Sequence, residues 1–235
     1  MIQKNMRLAF QRLIPCLLGG SKELLWLYVF LYPVSLYLNI QMEGVSIPSP
    51  DMESQRIVVM LSSAFFDYFG QILRVMVTVH CVSRLLYPQK YENISFLQLI
   101  TNNFLQLLIE RLRCVLAIAW RTVLLIVPGL REYVRLLLVD QVVLLAKDYE
   151  QGKVDALEES RKRTAGQLWP LFFAWMAFLA LLIFNSLLSV NLVPTGVVQH
   201  FMVYTGGFLI ELLLAIFMTS YYLSLIQEEE ILIKG

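Results

Sequence analysis

An apolar stretch from residue 168 to residue 193 limits the fold more than any other part of this sequence. It carries no Asp, Glu, Lys or Arg along its whole length. A run of about 18 or more such residues is typical of a transmembrane helix, because a helix satisfies its own backbone hydrogen bonds in lipid. The whole chain is 58% hydrophobic and 16% charged, whereas soluble domains have roughly 45–50% and 25%. These features predict an all-α polytopic membrane protein.

Six membrane-embedded helical segments are predicted within a single membrane domain that covers residues 1–235. Residues 1–23 precede them and place basic residues between apolar ones, which predicts an amphipathic helix at the membrane interface. A second amphipathic helix, 96–109, precedes the third segment. The six segments are 24–40, 57–82, 114–127, 130–146, 168–193 and 201–226.

The third and fourth segments are short and contain charged residues, so we expect them to form a hairpin that turns at Pro128-Gly129. Such a hairpin need not cross the whole bilayer. Residues 147–167 follow as a basic, partly helical elbow on the cytoplasmic side, which leads into the fifth segment.

The distribution of Lys and Arg predicts the orientation. Most basic residues lie in the N-terminal arm, around the loop 83–103 and in the elbow, whereas the loops 41–56 and 194–200 hold only Arg56 between them. The positive-inside rule therefore places both termini in the cytoplasm. Arg131, beside the turn of the hairpin, is the one discordant signal. Four aromatic residues are then expected at the inner interface, namely Trp26, Trp169, Tyr221 and Tyr222.

Several function classes are excluded by the composition and by the motifs. The net charge of +1 gives no basic field for nucleic acid. Three cysteines without CxxC spacing argue against a disulfide scaffold or a zinc site. The sequence has no P-loop, HExxH or GxSxG motif. We therefore expect a protein that is not an enzyme, with no catalytic residue, metal, cofactor or nucleic-acid partner.

The charged residues inside the segments are the candidate site residues, because a charge near mid-membrane costs about 2.5–3.5 kcal/mol. Intramembrane pairing is expected for Asp67, Arg74, Asp140 and Glu211, and a bond between Asp140 and Arg121 is expected to hold the hairpin together. The alternative interpretation is an anion or lipid-headgroup site formed by Arg121, Arg131 and Arg135.

The elbow contains a basic cluster and a stripe of small residues. Arg161, Lys162 and Arg163 are expected to bind anionic headgroups at the membrane surface. Ala156, Leu157 and Ser160 recur at helical spacing, and we expect them to pack on the hairpin or on the fifth segment. In the sixth segment, Gly206 and Gly207 would let a neighbouring helix approach closely.

The order of these central motifs resembles a known family. Pro128-Gly129 is followed by Arg135, then by Ala156-Leu157 with Ser160, then by Gly166 and the aromatic Trp169. Over roughly residues 80–185, this pattern is similar to the YciC-like bacterial integral membrane proteins and the related DUF975 and glycerophosphodiester-phosphodiesterase membrane domains. The resemblance implies a six-helix protein of the bacterial inner membrane, and it implies no established activity.

Two functions are expected from these observations. The first is a non-enzymatic integral inner-membrane protein that organises or assists other envelope components. The alternative is a transporter-like or lipid-handling protein that binds an anionic headgroup or solute at the Arg-lined hairpin. The expected partners are membrane lipids, together with a membrane-protein partner or a second copy of the chain. A continuous cavity beside the embedded charges would favour the alternative.

Overall fold

The computed structural model of the chain describes residues 2–19, 52–91, 95–192 and 197–234, and every regular element within these ranges is a helix. The predicted segment 24–40 lies outside the described residues. The helices are α1 (Ile2–Gly19), α2 (Met52–Leu86), α3 (Pro88–Tyr91), α4 (Phe96–Leu124), α5 (Ile126–Arg135), α6 (Val139–Leu145), α7 (Lys147–Glu150), α8 (Ala156–Thr164), α9 (Leu168–Leu192) and α10 (Val197–Lys234).

Three helices in the described part are long and apolar enough to cross a membrane. The qualifying stretches are Ala64–Leu86 in α2, Leu168–Leu188 in α9 and Phe201–Gln227 in α10. They overlap the predicted segments 57–82, 168–193 and 201–226. The chain is therefore an all-helical protein with three candidate membrane spans among the described residues. The two segments of the hairpin are not among these spans.

The hairpin bends three residues earlier than predicted. Helix α4 runs without a break from Phe96 to Leu124, so the predicted lead-in helix and third segment are one helix. Leu125 is extended, with φ −163° and ψ 141°, and α5 begins at the next residue. Pro128 and Gly129 thus lie in the first turn of α5 instead of between the helices. Proline is tolerated there because the first amide groups of a helix have no partner within it.

The predicted fourth segment, 130–146, is two helices rather than one. Helix α5 ends at Arg135, and α6 begins at Val139. The hydroxyl groups of Ser160 and Thr164 donate to the Arg135 carbonyl oxygen, at 2.7 Å and 3.2 Å. These bonds from α8 supply the donors that the carbonyl would otherwise lack at the helix end.

Helix α8 packs on the hairpin through its stripe of small residues. Ala156 and Ser160 are fully buried, and Leu157 is almost so. The predicted packing of this stripe against the hairpin is confirmed. After α8, Gly166 has φ +78°, a left-handed conformation that side chains disfavour, and it marks the end of the elbow before α9.

The two arms of the hairpin touch at Gly129. A Cβ atom at this position would lie 2.1 Å from the Thr122 Oγ1 atom and 2.9 Å from the Thr122 Cα atom. Because the second contact is with the backbone, α4 and α5 approach this closely only with glycine in place.

The N-terminal helix packs along the last helix. Ala9 and Cys16 of α1 are buried, and the rings of Phe10 and Phe217 lie 4.8 Å apart. Burial raises the pKa of the Cys16 thiol. The three cysteines of the chain are free thiols.

Tyr221 and Tyr222, two members of the predicted aromatic belt, do not face outward from the protein. Both side chains are fully buried, because this part of α10 faces the other helices. Trp169 is 70% exposed at the start of α9, as an interfacial residue would be. Trp26 lies outside the described residues.

Helices α9 and α10 meet at Gly206. The Asn185 side chain would be 2.0 Å from a Cβ atom at Gly206, and its amide donates to the Val203 carbonyl oxygen at 2.9 Å. Gly207 has no atom within 4 Å of its Cβ position. Only the first of the two glycines therefore permits the close helix approach that was predicted for both.

Candidate functional site

Glu132 is the centre of the charges in the hairpin. It is fully buried and lies between the guanidinium groups of Arg121 and Arg161. Arg161 donates to Glu132 Oε1 through Nε at 2.7 Å. Glu132 was not among the predicted site residues, because it lies between Arg131 and Arg135 and such mixed charges are usual on a solvated helix face. Its position within a short segment that was expected to be embedded in the membrane could have identified it, because a buried carboxylate needs basic partners.

The predicted bond between Arg121 and Asp140 is wrong. Asp140 instead accepts two hydrogen bonds from Arg111, at 3.0 Å from Nε and 2.7 Å from Nη2. The turn between α5 and α6 redirects the chain, so Asp140 faces the middle of α4 while Glu132 faces its end. The two-bond geometry is that of a strong guanidinium–carboxylate pair.

Two of the four predicted pairing residues meet each other. Arg74 of α2 and Glu211 of α10 form an ion pair at 2.9 Å. The Arg74 guanidinium also lies over the Phe208 ring, 5.7 Å from its centroid. The side chain of Asp67 lies outside the described part of the structure.

A cavity of about 390 Å³ connects these two ion pairs. Its wall includes Arg74, Glu211, Arg111 and Asp140, and also the amide side chain of Gln141. The three candidate spans all contribute residues from their middle turns, which include Val75 and Thr78 from α2, Trp175 and Leu179 from α9, and Leu214 and Ala215 from α10. The charged residues of the cavity are therefore close to the midpoints of the spans.

A second cavity, which we call the Arg131 groove, lies between α5 and α9. It has a volume of about 400 Å³ and is lined by Val127, Leu130, Arg131, Val134, Leu168, Trp169 and Phe172. Arg131 is exposed, and in the described part of the chain no carboxylate pairs with it or with Arg135. Of the three arginines predicted to bind an anion, Arg121 is paired with Glu132, and only Arg131 lines this groove.

The basic cluster of the elbow is mostly committed to internal contacts. Arg161 binds Glu132, and Arg163 forms an ion pair with Glu159 at 2.7 Å and lies over the Tyr222 ring at 5.2 Å. Lys162 is exposed. Two of the three basic residues predicted to bind headgroups are therefore already paired with carboxylates from α5 and α8, and headgroup binding by the cluster stays a prediction.

A further group of charges attaches the elbow to α4. Arg113 donates to Glu110 at 2.8 Å and to Asp155 at 2.5 Å. The Tyr149 hydroxyl donates to Glu110 at 3.1 Å, and burial, together with the Glu110 charge, raises the pKa of Tyr149 to about 12. Asp155 is also the N-cap of α8, where it accepts from the Leu157 amide at 3.0 Å.

Asp155 gives a prediction about pH. Burial alone would raise the pKa of Asp155, but hydrogen bonds from Arg113 and from the backbone of α8 outweigh it and hold the pKa below the ordinary 3.8. Its ionised form therefore stabilises the fold fully above about pH 4, and this contribution disappears as the pH falls through the lower folded pKa. We expect Asp155→Asn to lower stability by about 0.5–1 kcal/mol at neutral pH, since Asn keeps the cap and loses the charge.

The check is thermal unfolding of the purified protein in detergent between about pH 2 and pH 7. The difference in melting temperature between Asp155→Asn and the unchanged chain should disappear at the acid end of this range. The matched variant Asp155→Ala should cost about 1 kcal/mol more at every pH, because it also removes the cap. A difference in melting temperature that is constant with pH would contradict the stabilising role of the Asp155 charge.

No family model, curated protein or solved structure matches this chain. Among the described residues, no three His, Cys, Asp or Glu side chains form a group that could hold a metal ion.

Proposed function

We propose that this chain is a non-enzymatic integral membrane protein that handles lipids and binds the anionic headgroup of a phospholipid at Arg131. The observation that carries the proposal is the Arg131 groove, in which a guanidinium without a described carboxylate partner lies beside apolar walls. A phospholipid has the same arrangement, with an anionic phosphate beside apolar chains. Guanidinium groups bind phosphate oxygens through paired hydrogen bonds, which favours Arg in such a site.

The position of the groove in the membrane supports the same ligand. Leu168 and Trp169 begin the candidate span in α9, and both line the groove. Tryptophan is enriched at the headgroup level of membranes. The turn of the hairpin is therefore level with the elbow end of this span, and Arg131 is within reach of headgroups on that side.

This placement also supports a specific topology. If the hairpin turns at the cytoplasmic interface and does not cross the bilayer, Arg131 agrees with the positive-inside rule. We propose four crossings, by the predicted segment 24–40 and the three candidate spans, with both termini in the cytoplasm and the turn of the hairpin on the cytoplasmic side. The bacterial inner membrane and membership of the YciC-like group belong to the same proposal, and they rest on the sequence motifs.

The test is retention of lipid by the purified protein. We expect Arg131→Gln to weaken retention of phosphatidylglycerol about fivefold, since a basic residue near the surface contributes about 1 kcal/mol. Retention of phosphatidylcholine should change less, because its headgroup is neutral overall. Native mass spectrometry from nanodiscs that contain both lipids measures the two together.

Lys153→Gln is the matched control, because Lys153 is an exposed basic residue outside the groove and outside the cluster formed by Arg161, Lys162 and Arg163. It should leave phosphatidylglycerol retention unchanged. An equal loss in both variants would indicate nonspecific surface attraction, and unchanged retention in Arg131→Gln would exclude the site.

An organising or accessory role is the second candidate. It is favoured by the exposed apolar surface around the hairpin turn, where Trp120, Val123 and Ile126 are each more than 70% exposed. Lipid or a second membrane protein would cover these residues. A photoreactive residue in place of Val123 can be crosslinked in intact membranes. A protein adduct would show that a second membrane protein covers this surface, and lipid adducts alone would show that lipid does.

A further inference from the structure

The cavity that connects the two ion pairs is distinct from the Arg131 groove. It is about 390 Å³ and takes its walls from the middle of all three candidate spans. Charged residues at this depth are costly and usually face a partner or a water-filled cavity. Here each charged residue has a partner and also lines a cavity, because Arg74 pairs with Glu211 and Arg111 with Asp140, and all four residues line the same space.

The charge of the cavity wall is balanced. Its two guanidinium groups are matched by its two carboxylates. A ligand with a net charge would leave one charge uncompensated at the middle of the spans, and this is expensive in a low-dielectric environment. A ligand that is charged but neutral overall carries no such cost, and it can bond to both partners of a pair.

Gln141 contributes a buried hydrogen-bond acceptor that has no donor in the described part of the chain. Its side chain is 3% exposed and lines the cavity, and its Oε1 atom has no hydrogen-bond donor in the described chain. A buried acceptor without a donor costs about 1–3 kcal/mol. A ligand that brings an N–H group would remove this cost. The Glu211 carboxylate, which pairs with Arg74 through Oε2, lines the same cavity and is a second acceptor there.

We propose that this cavity binds a small zwitterion that carries a protonated amine and an acid group. The amine donates to Gln141 Oε1 and to the Glu211 carboxylate, and the acid group accepts from the Arg74 guanidinium. The zwitterion is either a soluble molecule or the headgroup of an aminophospholipid, which share this chemistry. The site does not depend on the Arg131 groove, whose ligand is anionic.

The experiment uses three soluble probes on the full chain purified in detergent. Glycerophosphoethanolamine is a net-neutral zwitterion with N–H donors. Glycerophosphocholine is also net neutral but has no N–H group, and glycerophosphoglycerol carries a net negative charge. By calorimetry, we expect the first probe to bind about tenfold more tightly than each of the others, because loss of a donor leaves Gln141 unpaired. Equal affinity for the ethanolamine and choline probes would overturn the proposal.

Gln141→Leu replaces the unpaired amide by an apolar side chain of similar size. It should weaken binding of glycerophosphoethanolamine about tenfold and leave glycerophosphocholine unchanged. If this variant does not fold, Glu211→Gln tests the same preference from the other acceptor. Arg131→Gln should not change either affinity, so failure here is separable from failure of the lipid site.

Nanodiscs separate the two sources of the zwitterion. Retention of phosphatidylethanolamine, reduced in Gln141→Leu, would assign the cavity to a lipid headgroup. Binding of the soluble probe without such retention would assign it to a free solute. Absence of both would exclude the proposed site.

Discussion

A chain with both Arg121→Gln and Arg161→Gln is expected to lose about 3–5 kcal/mol of unfolding free energy. Glu132 is fully buried, and the two arginines are its partners from α4 and α8. Without them, a buried carboxylate is left without compensation, which is among the most destabilising changes that a folded protein can undergo. The single variant Arg121→Gln should lose much less, because Arg161 keeps its bond to the carboxylate.

The control for this prediction is a third substitution. Adding Glu132→Gln to the double variant removes the uncompensated charge and should restore most of the lost stability. Denaturant unfolding in mixed micelles, followed by circular dichroism, measures all of these chains under the same conditions. If the triple variant is as unstable as the double variant, the loss comes from packing of the arginine stems and the ion-pair explanation fails.

Gly129→Ala is expected to lower the unfolding free energy by about 1–3 kcal/mol, although alanine favours helices. Its Cβ would lie 2.9 Å from the Thr122 Cα atom, so α4 and α5 must separate at the turn of the hairpin. Thr122→Ala in the same chain should restore only part of the loss, since it removes the contact with Oγ1 and leaves the one with the backbone.

Gly207→Ala is the matched control for the hairpin glycine. Gly207 also lies inside a helix, but nothing approaches its Cβ position within 4 Å. We expect this variant to be unchanged or more stable by up to about 1 kcal/mol. Thermal unfolding in detergent compares the two substitutions. Equal effects would mean that helix propensity, and not the approach of the two arms, determines the result.

The helical class and the three candidate spans were predictable because hydropathy reports burial in lipid directly. The stretches 168–193 and 201–226 needed no knowledge of their neighbours. Arg74 and Glu211 were each predicted to need a partner, which follows from the cost of an embedded charge. That they are partners of each other depends on the packing of α2 against α10, which one sequence does not contain.

The ion pairs of the hairpin were not predictable for a different reason. Their assignment used distances along a straight fourth segment, and two features change those distances. The turn begins at Leu125, and the chain bends again between Arg135 and Val139. A shift of three residues along a helix moves a side chain by most of a turn. Asp140 therefore pairs with Arg111, and Glu132 is the carboxylate that pairs with Arg121.

The packing of α1 along α10 has a consequence for biosynthesis. The buried face of α1, with Ala9 and Cys16, is completed by side chains such as Phe217 that lie more than 200 residues later in the chain. During translation, α1 emerges long before its partner exists. Its apolar face must then be covered by the lipid surface or by a chaperone until α10 has been inserted. Assembly therefore includes a docking step between two helices that are synthesised far apart in time, and chains shortened before Phe217 should leave α1 open to proteolysis.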